Sequence, residues 1–199
     1  MKDFKKTLKT IVSSPDLHSR WLNTLSYLEN CGARLIAECE HPTMVPKEVL
    51  KHAAEEFRHA YFFKSQIDKI SSSLSLETYA MENLLGGCRV KNYLYKLNIQ
   101  ISRFLKYTKK LSKKELKEYA YLLVTYAIEI RAKNLYPLYQ SFLAEGNFPI
   151  SIKSIIREEE HHLSEIIEGL ENSPAMEWRD EVCAMEQVIY EKWIDSLKI

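Results

Sequence analysis

Glycine and proline are scarce, at five and six in 199 residues, about half the combined share of an ordinary domain. So few turn-formers allow few chain reversals, which argues against a many-stranded sheet and for long helices. No apolar run approaches a bilayer span: the longest, Tyr119 to Ile128, is short and interrupted by Thr125. The four cysteines, Cys31, Cys39, Cys88 and Cys183, lack the CxxC spacing of a zinc site and are too few for a disulfide scaffold. The basic opening stretch as far as Trp21 has no apolar export core, so a soluble protein in a reducing cytoplasm is expected. An excess of one charge is also missing. Lys and Arg total 28 against 27 Asp and Glu, a formal net charge of +1, so no global field draws nucleic acid, anionic membrane or acidic substrates. What remains is ordinary globular material, 46% hydrophobic and 28% charged, with enough length for one core and no linker or low-complexity tract. A single domain over 1–199 is expected.

Between the breakers, apolar residues recur at three and four, the period of helices with one buried face. The first helix is expected from Ser14, a cap followed by Pro15, to about Glu40 before His41-Pro42; the second runs from Pro46 to about Ile70, ending at Ser71-Ser72-Ser73. A crossover of some forty residues is too long for a bare loop, so an amphipathic helix is expected within Met81 to Tyr107, kinked near Gly86-Gly87. A long helix over Ser112 to Ala144 contains Pro137, where a kink is expected, and another covers Pro149 to Glu171. A last helix carries Trp178, Val182, Met185, Ile189, Trp193 and Leu197 on one stripe. The fold class is therefore all-α: two antiparallel helix hairpins forming a four-helix bundle, with an added crossover helix and a C-terminal helix.

The informative residues are polar ones where the helical period asks for apolar ones. The second helix reads Val49, Ala53, Glu56, His59, Phe63, Ile67 along its inward stripe, and the fifth reads Ile152, Ile155, Glu159, His162, Ile166, Leu170. Both are Glu-x-x-His, inside the longer patterns Glu55-Glu56-Phe57-Arg58-His59 and Glu158-Glu159-Glu160-His161-His162. The first and fourth helices each add one inward acid beside small residues, Glu29 with Gly32 and Ala33, and Glu129 with Ala132. Glu29 and Glu56 straddle one turn almost symmetrically, and Glu129 and Glu159 straddle another, each about 20 Å from it at a rise of ~1.5 Å per residue. All six side chains can therefore meet at one depth. Four buried carboxylates without partners cost several kcal/mol per ion, roughly, whereas two divalent cations would neutralise them and take both imidazoles as ligands. The plainer alternative makes these surface acids, paired with Arg34, Arg58, Arg131 and Arg157. A lone Glu-x-x-His is weak evidence: Glu38-Cys39-Glu40-His41 also matches and is assigned to solvent, as is the frame from Glu158 to His161.

This arrangement resembles the ferritin-like di-iron carboxylate proteins, in which two helices each give one Glu and two each give a Glu-x-x-His. The resemblance spans about Trp21 to Gly169. It implies a metal-ligand set of Glu29, Glu56, His59, Glu129, Glu159 and His162, with Glu56 and Glu159 as bridging, catalytic carboxylates. It implies two irons, with manganese possible, O2 as co-substrate and an external reductase or ferredoxin-like electron donor, since no nucleotide or flavin motif is present. The expected function is an O2-activating oxidase or oxygenase of a small organic or modified-nucleoside substrate, the latter by a looser likeness to tRNA-modifying hydroxylases. An iron-oxidation or storage protein related to ferritin or rubrerythrin is the alternative, and a metal-free helical interaction scaffold a second.

Four features lie outside that set. Tyr126 and Tyr136 share the face of Glu129, where a tyrosine could be oxidised or line a pocket. His52, one turn before Glu56, reads as a capping or surface residue ahead of an extra ligand or outer partner. Arg58 and Arg157 read as solvated. The six lysines from Lys106 to Lys117 read as a solvated helix end ahead of a tRNA surface. A homodimer is possible and no membrane partner is expected.

Overall fold

The computed structural model describes residues 4–38, 43, 45–70, 76–197 and 199. Among these, every regular element is helical. An amphipathic helix not expected from the sequence, α1 (Phe4–Ser13), buries Leu8, Ile11 and Val12 and packs on the next helix. Then α2 (Pro15–Glu38) starts where Ser14 caps it, its hydroxyl accepting from the Leu17 amide at 3.5 Å. The expected end of this helix and the expected Ser71-Ser72-Ser73 break lie outside the described residues, as does most of the motif from Glu38 to His41.

Helix α3 (Lys47–Ile70) lies along α2, and α6 (Lys113–Glu145) lies along α7 (Lys153–Glu171). The start of α6 is fixed by a reciprocal pair: the Ser112 hydroxyl accepts from the Glu115 amide and the Glu115 carboxylate from the Ser112 amide. Pro137 does not end this helix. It is exposed, so the carbonyl one turn earlier that it leaves without an amide partner faces water.

The crossover is broken rather than continuous. A turn of 3-10 helix at Met81–Asn83 leads to α4 (Cys88–Lys91) and α5 (Tyr93–Arg103), which ends in a π-helical turn over Phe104–Thr108. Gly86 forces the interruption: its φ is +90°, and a Cβ there would sit 2.4 Å from the Trp193 ring. The indole of Trp193 in turn donates to the Leu85 carbonyl at 2.9 Å, tying α8 (Arg179–Asp195) to the crossover. On α8 the buried face includes Val182, Ile189 and Trp193 as expected, but Met185 gives way to Glu186. Helices α5 and α8 pack against each other and against α6. No helix among the described residues is long and apolar enough to cross a membrane.

Candidate metal centre

All six expected ligands are buried, from 0% exposed at His59 to 8% at Glu29. They converge because α2 and α6 each turn one acid inward, Glu29 and Glu129, while α3 and α7 each turn in a Glu and a His at the same depth. Two groups form, each with ligand atoms within 4.8 Å of one another: Glu29, Glu56, His59 and Glu159 in one, and His52, Glu56, Glu129 and His162 in the other. Glu56 belongs to both. The surface-acid alternative fails on burial, and Arg131 is committed elsewhere, donating to both oxygens of Glu186 at 3.0 and 2.6 Å.

His52 corrects the surface reading. It is 4% exposed, and its Nε2 lies 3.4 Å from both Glu56 and Glu129. The sequence signal was its spacing of four from Glu56, which stacks both side chains on one helix face. Tyr126 lies toward α8, with Cys183, Arg179 and Asp180 as neighbours. Tyr136 is the tyrosine at the cluster, donating its hydroxyl hydrogen to Glu29.

The first acid of each longer motif has a role that the helical frame concealed. Glu158 accepts from His59 Nε2 at 2.6 Å and from Arg58 at 2.6 Å, while Glu55 accepts from His162 Nε2 at 2.8 Å. Each Glu-Glu-x-x-His segment thus braces the histidine of the other across the α3 and α7 pair. A carboxylate can only accept here, so each Nε2 carries hydrogen and each Nδ1 is turned inward. The fully solvated reading of Glu158 is therefore corrected, while Arg58 stays exposed as its partner and His161, paired with Glu165 at 3.0 Å, remains at the surface. Glu158→Ala is expected to lower metal affinity by about 10- to 100-fold through loss of His59 orientation, measured by competition with a chelator. Unchanged affinity would mean that Glu158 only decorates the surface.

The inward atoms fit a metal rather than one another. His59 Nδ1 lies 3.0 Å from Glu159 and 3.9 Å from Glu56, and His162 Nδ1 lies 3.3 Å from Glu56 and 3.7 Å from Glu159. Yet His52 Nε2, Glu56 Oε1, His59 Nδ1, Glu129 Oε2, Glu159 Oε1 and His162 Nδ1 are all buried without an aligned hydrogen bond. Atoms sharing one ion at roughly 2.1 Å lie about 3 to 4 Å apart, the spacing found here. Imidazole and carboxylate donors without thiolate suit iron, manganese or zinc.

Without metal, the cluster's charge is carried by protons. Burial, with the neighbouring Glu56 and Glu159 anions, pushes Glu29 well above the usual carboxylate range, and burial with Glu159 does the same for Glu129. Burial would also raise Glu56 and Glu159, but the close imidazole of His162, with that of His52 or His59, outweighs it and holds both acids low. Burial would lower His162, but Glu159 and Glu56 push it up to about 10, and His59 is raised in the same way.

A cavity of about 430 Å³ opens onto this cluster between α2, α5 and α6. Glu29, His52, Glu56, Glu129 and Glu159 form its end, Leu25, Leu28, Leu35, Val124, Ile128 and Leu135 are among its walls, and Lys113 and Lys117 lie at its rim. The chain matches no protein-family model, no curated protein and no solved structure, so its functional reading rests on its own residues.

Proposed function

We propose that this protein is a dinuclear metal oxidase or oxygenase that uses O2 on a small organic substrate, built on a ferritin-like four-helix bundle. The observation that carries this reading is the apolar cavity opening onto the ligand cluster. A storage or ferroxidase protein needs a path for hydrated cations, which aliphatic walls do not offer. The same walls favour an apolar organic substrate over a modified nucleoside, whose polar edges would lack partners there.

Glu29, Glu56, His59, Glu129, Glu159 and His162 would hold the ions, joined by His52, with Glu56 shared between the two groups. When bound in reduced form, the irons would supply the electrons that O2 needs, with an external donor to restore them. The chain's own part is to prepare that site. Glu158 and Glu55 hold two imidazoles with Nδ1 inward, Tyr136 fixes one oxygen of Glu29, and the aliphatic walls keep bulk water from the reacting face.

The test is anaerobic reconstitution with Fe(II), followed by metal analysis and measurement of O2 uptake. About two irons per chain, with O2 consumed as they oxidise, is the expected result. A large hollow assembly that retains many irons per chain would favour storage, and no bound metal would favour the scaffold alternative.

A further inference from the structure

We propose that the cavity beside the metal cluster binds an elongated aliphatic carboxylate, its chain lying between α2, α5 and α6 and its carboxylate at the rim beside Lys113 and Lys117. The inference deepens the oxygenase reading and rests on it only for the identity of this ligand as substrate. Along α6 the cavity-lining residues run from Lys113 and Lys117 at the rim to Glu129 at the cluster. The axial distance from Lys117 to Glu129 is roughly 18 Å at the helical rise, so the space is long as well as apolar.

Between its ends the cavity lining holds the neutral polar Tyr121 and Thr125 and, among the described residues, one cation, Arg131, which is held by Glu186 at 2.6 Å and lies 3.7 Å over the Tyr190 ring. An anion inside would have to break that pair, so the inner part suits hydrocarbon. At the rim, Lys113 and Lys117 are exposed on the first turns of α6, near Glu38 on α2, with Asn98 and Ser102 on α5 as neutral polar neighbours. The exposed ammonium of Lys113 suits an anionic head at this end of an apolar space. Gly32 marks the passage between the ends. It lies one turn beyond Glu29, lines the cavity, and a Cβ built there meets nothing within 4 Å. Inside a helix with room for a side chain, glycine is less stable than alanine. The space it leaves adjoins the ligand cluster at Glu29.

Calorimetric titration of the Zn(II)-loaded and metal-free protein with decanoate and with decanol, both below their micelle concentrations, tests the proposal without turnover. Decanoate is expected to bind once per chain and several-fold more tightly than decanol. Gly32→Leu, which fills the passage, is expected to weaken both ligands at least tenfold while zinc content stays at the wild-type value. Lys113→Glu with Lys117→Glu, two surface changes, is expected to weaken decanoate several-fold and leave decanol unchanged. Failure of wild-type protein to bind decanoate, or binding indifferent to Gly32→Leu, would overturn the site. Equal binding of both ligands with no effect of the lysine changes would overturn the carboxylate. Decanoate binding by a wild-type chain that takes up no metal would remove the oxygenase reading and leave this binding site standing.

Discussion

Glu56→Ala is expected to leave the protein unable to hold two metals. Glu56 alone belongs to both ligand groups, so its loss takes a donor from each position at once. The loss of affinity should exceed the roughly 10- to 100-fold attributed to an outer partner such as Glu158, because a bond to the ion itself disappears. His52→Ala is the informative contrast. Its imidazole reaches only the group with Glu129 and His162, at 3.4 Å from Glu56 and Glu129, so one position should weaken while the other still fills. Metal analysis after dialysis against a weak chelator should give about two ions per chain for the wild type, about one for His52→Ala, and less than one for Glu56→Ala. Two ions retained by Glu56→Ala would show that the groups do not act as a linked pair.

Removing the metals should reverse the pH dependence of stability. In the metal-free chain, His59 and His162 are raised, His162 from 6.5 to about 10, and Glu29 and Glu129 stand well above 4.5. A group whose pKa is raised by folding stabilises the fold fully below its unfolded value and ceases to as pH passes its folded value. All four contributions therefore decline toward alkaline pH. Glu56 and Glu159 are lowered, so their support is lost only as pH falls through their folded values, on the acid side of neutrality. The metal-free protein should melt at progressively lower temperature from pH 6.5 to pH 10. In the loaded protein, ions replace these protons, so affinity rises with pH through the same window. A single ion at a thousandfold excess over its Kd adds about 4 kcal/mol, equivalent to roughly 10 °C in Tm for a chain of this length. Differential scanning calorimetry of both forms at pH 6.5 and 9 checks this, and parallel curves would mean that the cluster does not exchange protons for metal.

The same residues separate what periodicity can reveal from what it cannot. Glu29, Glu56, His59, Glu129, Glu159 and His162 stood out because a charged group on an apolar stripe conflicts with the cost of burying it, and that conflict is local to one helix. The braces did not stand out. Glu158 and Glu55 each sit one residue before a ligand, about 100° around the helix from it, and the periodic reading consigns such a position to solvent. It takes the neighbouring helix to bring His59 and His162 within 2.6 and 2.8 Å of them. Tyr126 and Tyr136 were equivalent on the sequence because both fall near the face of Glu129. Only the packing of α8 on one side of α6 and of α2 on the other separates a tyrosine beside Cys183 from one bonded to Glu29.

The sequence by itself determined the helical class, the main helices and the six inward polar residues, because turn-former content, capping and the 3.6-residue period act within single segments. The tertiary structure decided that His52 joins the cluster, that two acids brace the opposite histidines, and that an apolar cavity opens beside Gly32. Those facts depend on distances between helices far apart in the chain, and one helix's periodicity carries no record of what its neighbour places against it.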